Sequence, residues 1–184
     1  MNQAWFDAAK AFVEDKFFRV PHLTKDPLVH ATALVRVMRE DYGISDPEVL
    51  TAGMLHDVFE DTAATEADVS FKFSPRVTAL VKEVSHERGE QYNRDAFYEH
   101  LKGISIEAKW IKLADLLVNL QWMIGRHKAG NPVFRSHAPY IRHIRTFLAS
   151  CKDAIFQNAV WDIMQHALEL EALDAKLRRE EEWW

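Results

Sequence analysis

Apolar residues return every three or four positions along nearly the whole chain, and the two-residue alternation of a half-buried strand is nearly absent. That period matches the turn of an α-helix. The expected fold is therefore all-α, a compact single-domain bundle of about 8–10 helices. The spacing predicts helices over residues 3–18, 28–41, 47–59, 75–85, 94–102, 105–127, 137–149 and 153–180, with a short one after Thr65. Most of the six Gly and six Pro fall between these segments or at their first residue. Ser45 with Glu48 resembles a capping box, with Pro47 in the first turn of the third helix. Thr65 with Asp68 repeats the pattern, and Ser74-Pro75 opens another helix. No linker, repeat or low-complexity tract divides the chain, so residues 1–184 read as one domain with a sizeable core.

Polar groups inside this apolar pattern are the places to look for chemistry, because a buried charge must be paired, hydrogen-bonded or bound to a cation. The run Leu55-His56-Asp57-Val58-Phe59-Glu60-Asp61-Thr62 holds four such groups in what reads as the end of a core helix. On a continuous helix His56 and Glu60 share one strip of surface, and Asp57 and Asp61 the next. His30 interrupts the apolar face of the second helix, beside Ala33, Leu34, Val37 and Met38. Asp115 sits within the apolar run from Trp110 to Leu120, and Asn119 follows it one turn later. Two His and two Asp on three helices would make a four-ligand site with room for water and phosphate. That donor set suits Mn, Fe, Co, Ni or Zn better than Ca. The other histidines (His22, His86, His100, His127, His137, His143 and His166) show no ligand-like spacing, and surface placement is expected for His137 and His143. Lys112 and Arg94 are expected to be solvated or salt-bridged.

The formal net charge is −5 and no basic block occurs, so no nucleic-acid groove is expected. Cys151 is the only cysteine, which excludes an intrachain disulfide and a cysteine zinc site. No run of about 18 apolar residues is present, so no membrane span is expected. The start MNQAWFDAAK lacks the layout of a signal peptide, and a cytoplasmic protein is the expectation. Trp183 and Trp184 end a charged tail. Docking of that tail on a second subunit, as a homodimer, stays open.

The segments LHDVFEDT and KLADLLVNL resemble the HD-domain phosphohydrolases, a family named for its His-Asp doublet. They are most similar to the hydrolase domain of RelA/SpoT-type alarmone enzymes and to the small stand-alone alarmone hydrolases of the metazoan SpoT-homologue type. The resemblance covers roughly residues 5–150. It implies one divalent metal, usually Mn²⁺, on His30, His56, Asp57 and Asp115. It implies that Glu60 and Asp61 orient and activate the attacking water. It further implies that Asn119 contacts the nucleotide sugar, Arg19 stacks on the base, and Arg135 with the nearby Tyr140 meets the phosphates or substrate. The implied reaction removes the 3′-pyrophosphate of (p)ppGpp, giving GDP or GTP and pyrophosphate.

The chain departs from the family around the base. Val20 stands where a second basic residue is common, and the first ligand lies in Pro27-Leu28-Val29-His30-Ala31. The loop over residues 86–93 also differs. The substrate therefore stays open among (p)ppGpp, a ppApp-like nucleotide and the 2′-phosphate of NADPH. A nucleotide-binding module without turnover is the reading from another class, and the intact Glu60-Asp61 pair argues against it.

Overall fold

The computed structural model describes residues 3–18, 20, 25–86, 92–134 and 136–181. Arg19, Arg135 and the Trp183-Trp184 tail lie outside the described residues. Among those described there is no strand. The helices are α1 (Gln3–Phe17), α2 (Pro27–Glu40), α3 (Pro47–Met54), α4 (Val58–Asp61), α5 (Glu66–Lys72), α6 (Pro75–Val84), α7 (Arg94–Leu101), α8 (Ile106–Lys128), α9 (Ala138–Leu148) and α10 (Gln157–Glu181). A 3₁₀ turn, Ala154–Phe156, precedes α10. Among the described residues, no helix is long and apolar enough to cross a membrane.

Two compact units divide the chain, Met1–Ala114 and Asp115–Trp184. In the first, α3 packs on α1, α2 and α6, and α5 packs on α6. Leu34, Met38, Leu50, Met54 and Leu55 are fully buried there. In the second, α9 packs on α10, and the core includes Ile141, Ile144, Phe147, Phe156 and Ile163.

Local chemistry sets the helix starts. Asp26 caps α2 by accepting from the Val29 N–H at 2.9 Å, with Pro27 in the first turn. Thr65 and Asp68 form a complete capping box on α5. Ser74 caps α6 through the Val77 N–H. The capping box expected at Ser45 is replaced: Asp46 caps α3, accepting from the N–H groups of Glu48 and Val49. Glu48 is turned instead toward Ser74 Oγ at 2.6 Å and Arg76 at 2.9 Å. Those bonds, Ser74 first, hold its carboxyl below the usual range.

The helix expected over 47–59 is broken. α3 ends at Met54, a turn follows, and α4 starts at Val58. Leu55 shares its N–H between Thr51 O and Ala52 O, which tightens the last turn. The His56 ring then reaches back to Gly53 O, taking a carbonyl that a continuing helix would use. His56 and Asp57 therefore sit in a turn between two helices, not on one continuous helical strip.

Candidate metal centre

The site begins with a close helix–helix approach. A Cβ at Gly53 would lie 2.6 Å from Met38 Sδ and 3.0 Å from Leu34 Cδ2, so glycine lets α3 press against α2. α2 carries His30, and the turn after α3 carries His56 and Asp57. The two rings face each other with His30 Nε2 and His56 Nε2 3.2 Å apart. Asp57 Oδ1 is 3.0 Å from His56 Nε2, and Oδ2 is 3.8 Å from His30 Nε2. Both imidazoles are buried and Asp57 is half-buried.

The donor set fits a divalent cation. The Gly53 carbonyl can only accept, so His56 Nδ1, 2.9 Å away, carries the proton. In the neutral imidazole Nε2 then presents a lone pair toward the Asp57 carboxylate and His30. Ligand atoms of His30, His56 and Asp57 all lie within 4.8 Å of one another. Converging lone pairs repel unless a cation or a shared proton lies between them, and a backbone carbonyl fixing the outer ring nitrogen is a common support for a metal-bound His.

Glu60 and Asp61 follow on α4, and their surroundings differ. Glu60 accepts from the His86 N–H at 3.0 Å and lies 2.9 Å from His86 Nε2. Asp61 is exposed as a residue, yet its carboxyl is drawn partly out of water beside two other acids. Desolvation first, then repulsion from Asp57 and Glu60, push it up to about 6, against the pull of Lys25 and His56.

Asp115 opens the second unit. It is buried on α8, and Asn119 Nδ2 donates to its Oδ1 at 2.6 Å. The one-turn pairing read from the sequence is thus present. Tyr140 is half-buried in the first turn of α9. The expected surface placement of His137 and His143 is wrong, since both are buried. Asp174 on α10 explains His137: its carboxylate accepts the His137 N–H at 2.6 Å and lies 2.7 Å from Nδ1. Asp174 thereby caps α9, and it also lies 3.6 Å from His127 Nε2. Lys112 rests its ammonium 5.4 Å from the centre of the Phe97 ring.

Ser85 and His86 went unmarked in the sequence. Ser85 Oγ is within hydrogen-bond distance of both Val81 O (2.7 Å) and His56 O (3.3 Å). Their signal is faint: a polar Ser-His pair directly after the apolar helix α6, twenty-six residues from Glu60.

Two histidines with a neighbouring aspartate, followed by an acidic pair, make a candidate metal site of the HD type. The sequence profile of the HD domain matches residues 11–141, and the chain belongs to that family. It is 34% identical over 100 residues to the guanosine-3′,5′-bis(diphosphate) 3′-pyrophosphohydrolase MESH1 of Xenopus tropicalis, covering 53% of this chain and 56% of that one. The Drosophila melanogaster protein of the same name is 38% identical over 94 residues, covering 50% and 52%. The chain spans little more than half the length of these curated relatives. Among solved structures, one reported as a metazoan ortholog of SpoT that hydrolyzes ppGpp superposes with a TM-score of 0.73 at 25% identity, covering 88% of this chain and 94% of that one. A Listeria monocytogenes protein superposes with a TM-score of 0.62 at 21% identity, covering 75% and 90%; at that identity the likeness is one of fold.

Proposed function

We propose that the chain is a metal-dependent (p)ppGpp 3′-pyrophosphohydrolase, acting as one HD hydrolase domain over residues 1–184. The observation that carries this reading is the convergence of His30, His56 and Asp57 within 4.8 Å, with Glu60 and Asp61 on the next helix. Its relatives carry that activity in their names, and the family match runs through residues 11–141, across the boundary between the two units.

In this reading His30, His56, Asp57 and Asp115 hold one divalent ion, with Mn²⁺ as the preferred metal. When bound, such an ion lowers the pKa of water and polarises a phosphoryl oxygen. Glu60 and Asp61 align the attacking water and take its proton. The water oxygen bonds to the phosphorus attached to the 3′-oxygen, the P–O3′ bond breaks, O3′ takes up a proton to become the free hydroxyl, and pyrophosphate leaves GDP or GTP behind. Asn119 contacts the sugar, Arg19 stacks on the base, and Arg135 with Tyr140 meets the phosphates. Placement in the cytoplasm and a homodimer formed through the tryptophan tail belong to the same proposal.

The test is incubation of purified protein and Mn²⁺ with ppGpp, ppApp and NADPH. The expected result is pyrophosphate and GDP from ppGpp. Release only from ppApp, or orthophosphate from NADPH, reassigns the substrate while keeping the site. Metal binding without turnover of any of the three overturns the enzymatic reading.

A further inference from the structure

Glu60, the first of the acidic pair, is held from outside the motif that defines the site. Glu60 is nearly buried, its side chain only 14% exposed. Both of its oxygens meet one residue: Oε1 accepts the His86 N–H at 3.0 Å, and Oε2 lies 2.9 Å from His86 Nε2. An ionised carboxylate only accepts, so His86 Nε2 carries the proton in this contact. Two donors from one residue fix both position and tilt of a carboxylate.

His86 is itself held. Its ring stacks on Tyr92 with centroids 4.0 Å apart, and Phe97 on α7 meets it edge-on at 5.3 Å. The preceding residue ties the same point of chain to the metal-ligand turn, because Ser85 Oγ lies 3.3 Å from the His56 carbonyl. The dipeptide Ser85-His86 thus touches the turn that carries His56 and Asp57 on one side and Glu60 on the other. A cavity of about 680 Å³ borders both residues, so the imidazole stands between open space and Glu60.

We propose that His86 is a positioning residue for Glu60, fixing the carboxylate that aligns the attacking water. The inference rests on the reading of Glu60 as part of the water-directing pair. With both oxygens already engaged, Glu60 serves as a fixed acceptor for a water O–H. Without the His86 ring Glu60 keeps only the backbone N–H as donor and its carboxylate can tilt, and a displaced group of this kind loses rate rather than substrate affinity.

Two substitutions and one spectrum test this. In the Mn²⁺-loaded protein with ppGpp, His86→Ala should lower kcat roughly ten- to a hundredfold at little change in KM. His86→Gln, whose amide can still donate to Glu60, should recover most of the rate. In ¹⁵N-edited spectra of the metal-free protein, His86 Nε2–H should give a slowly exchanging downfield proton. That proton should vanish in Glu60→Ala, while the His56 Nδ1–H persists. The proposal is overturned if kcat survives His86→Ala, if Gln and Ala lose equally, if KM rises instead, or if the His86 proton is indifferent to Glu60→Ala. Should the wild type turn over none of the nucleotides, the hydrolase reading fails and the spectrum alone decides whether His86 holds Glu60.

Discussion

Neighbouring carboxylates on α4 meet opposite surroundings, and the difference has a measurable sign. Glu60 is engaged by two donors, whereas Asp61 is raised to about 6 by desolvation and by Asp57 and Glu60. A carboxyl with a folded-state pKa above its unfolded value binds protons more tightly when folded. Between the ordinary Asp pKa, about 4, and about 6, the folded state holds the extra proton, so stability falls as pH rises. Asp61→Asn removes that cost. In metal-free protein, urea denaturation should show Asp61→Asn more stable than wild type at neutral pH, with the gap closing below about pH 4. An equal gap at both pH values would refute the assignment. The same variant should lose turnover while still binding Mn²⁺, measured by metal content after dialysis. At this scale the sequence revealed the residues that break an apolar pattern (His30, the His56-Asp57 doublet, Glu60, Asp61 and Asp115). It hid His86, since a lone His after a helix carries no local mark of a partner twenty-six residues away.

Helix packing brings His30 to the His56-Asp57 turn, and those helix contacts are as testable as the site residues themselves. Gly53 permits the approach of α3 to α2, and its carbonyl also fixes the His56 ring. Alanine there gains about 1 kcal/mol of helix propensity, but its Cβ meets Met38 and Leu34, both fully buried. Overpacking of that kind costs about 1–3 kcal/mol. Gly53→Ala should therefore lower Tm and, by shifting His56 against His30, weaken Mn²⁺ binding in titration calorimetry. Unchanged affinity would show that the α2–α3 spacing does not set the ligand geometry. The helix starts were legible where Pro followed a capping residue, as at Ser74-Pro75, and misplaced by one residue at Asp46. The break after Met54 was not legible, because the apolar period continues through Leu55 and Val58. What ends α3 is a tightened turn and a side chain bonding to a carbonyl, neither of which alters the pattern. In the second unit, Asp174 joins α10 to the start of α9 through two bonds to His137. Its removal leaves a buried imidazole and an amide without their acceptor. Asp174→Ala should cost about 3 kcal/mol, seen as a lowered urea midpoint.

For the molecule as a whole, periodicity was enough to read an all-α chain, because each helix must bury one stripe and leaves its period in the sequence. Periodicity is silent on which stripes meet, so the division at Ala114/Asp115 could not be read from it. Function adds a constraint that packing lacks. If Asp115 is the fourth ligand, metal binding draws on a residue far along the chain from the His-Asp doublet, and metal should stabilise the folded chain as a ligand that binds only the native state. At about 100 times its Kd, such a ligand adds about 2.7 kcal/mol. Mn²⁺ should then raise Tm of the chelator-stripped wild type, and excess EDTA should reverse the shift. In His30→Ala the shift should collapse, because His30 belongs to the converging group. Asp115→Ala is the decisive variant. The shift should shrink there too, although Asp115 stands nearly sixty residues beyond the His-Asp doublet. A full Mn²⁺ shift in Asp115→Ala would strike it from the ligand set and leave His30, His56 and Asp57 as the protein's whole contribution to the metal.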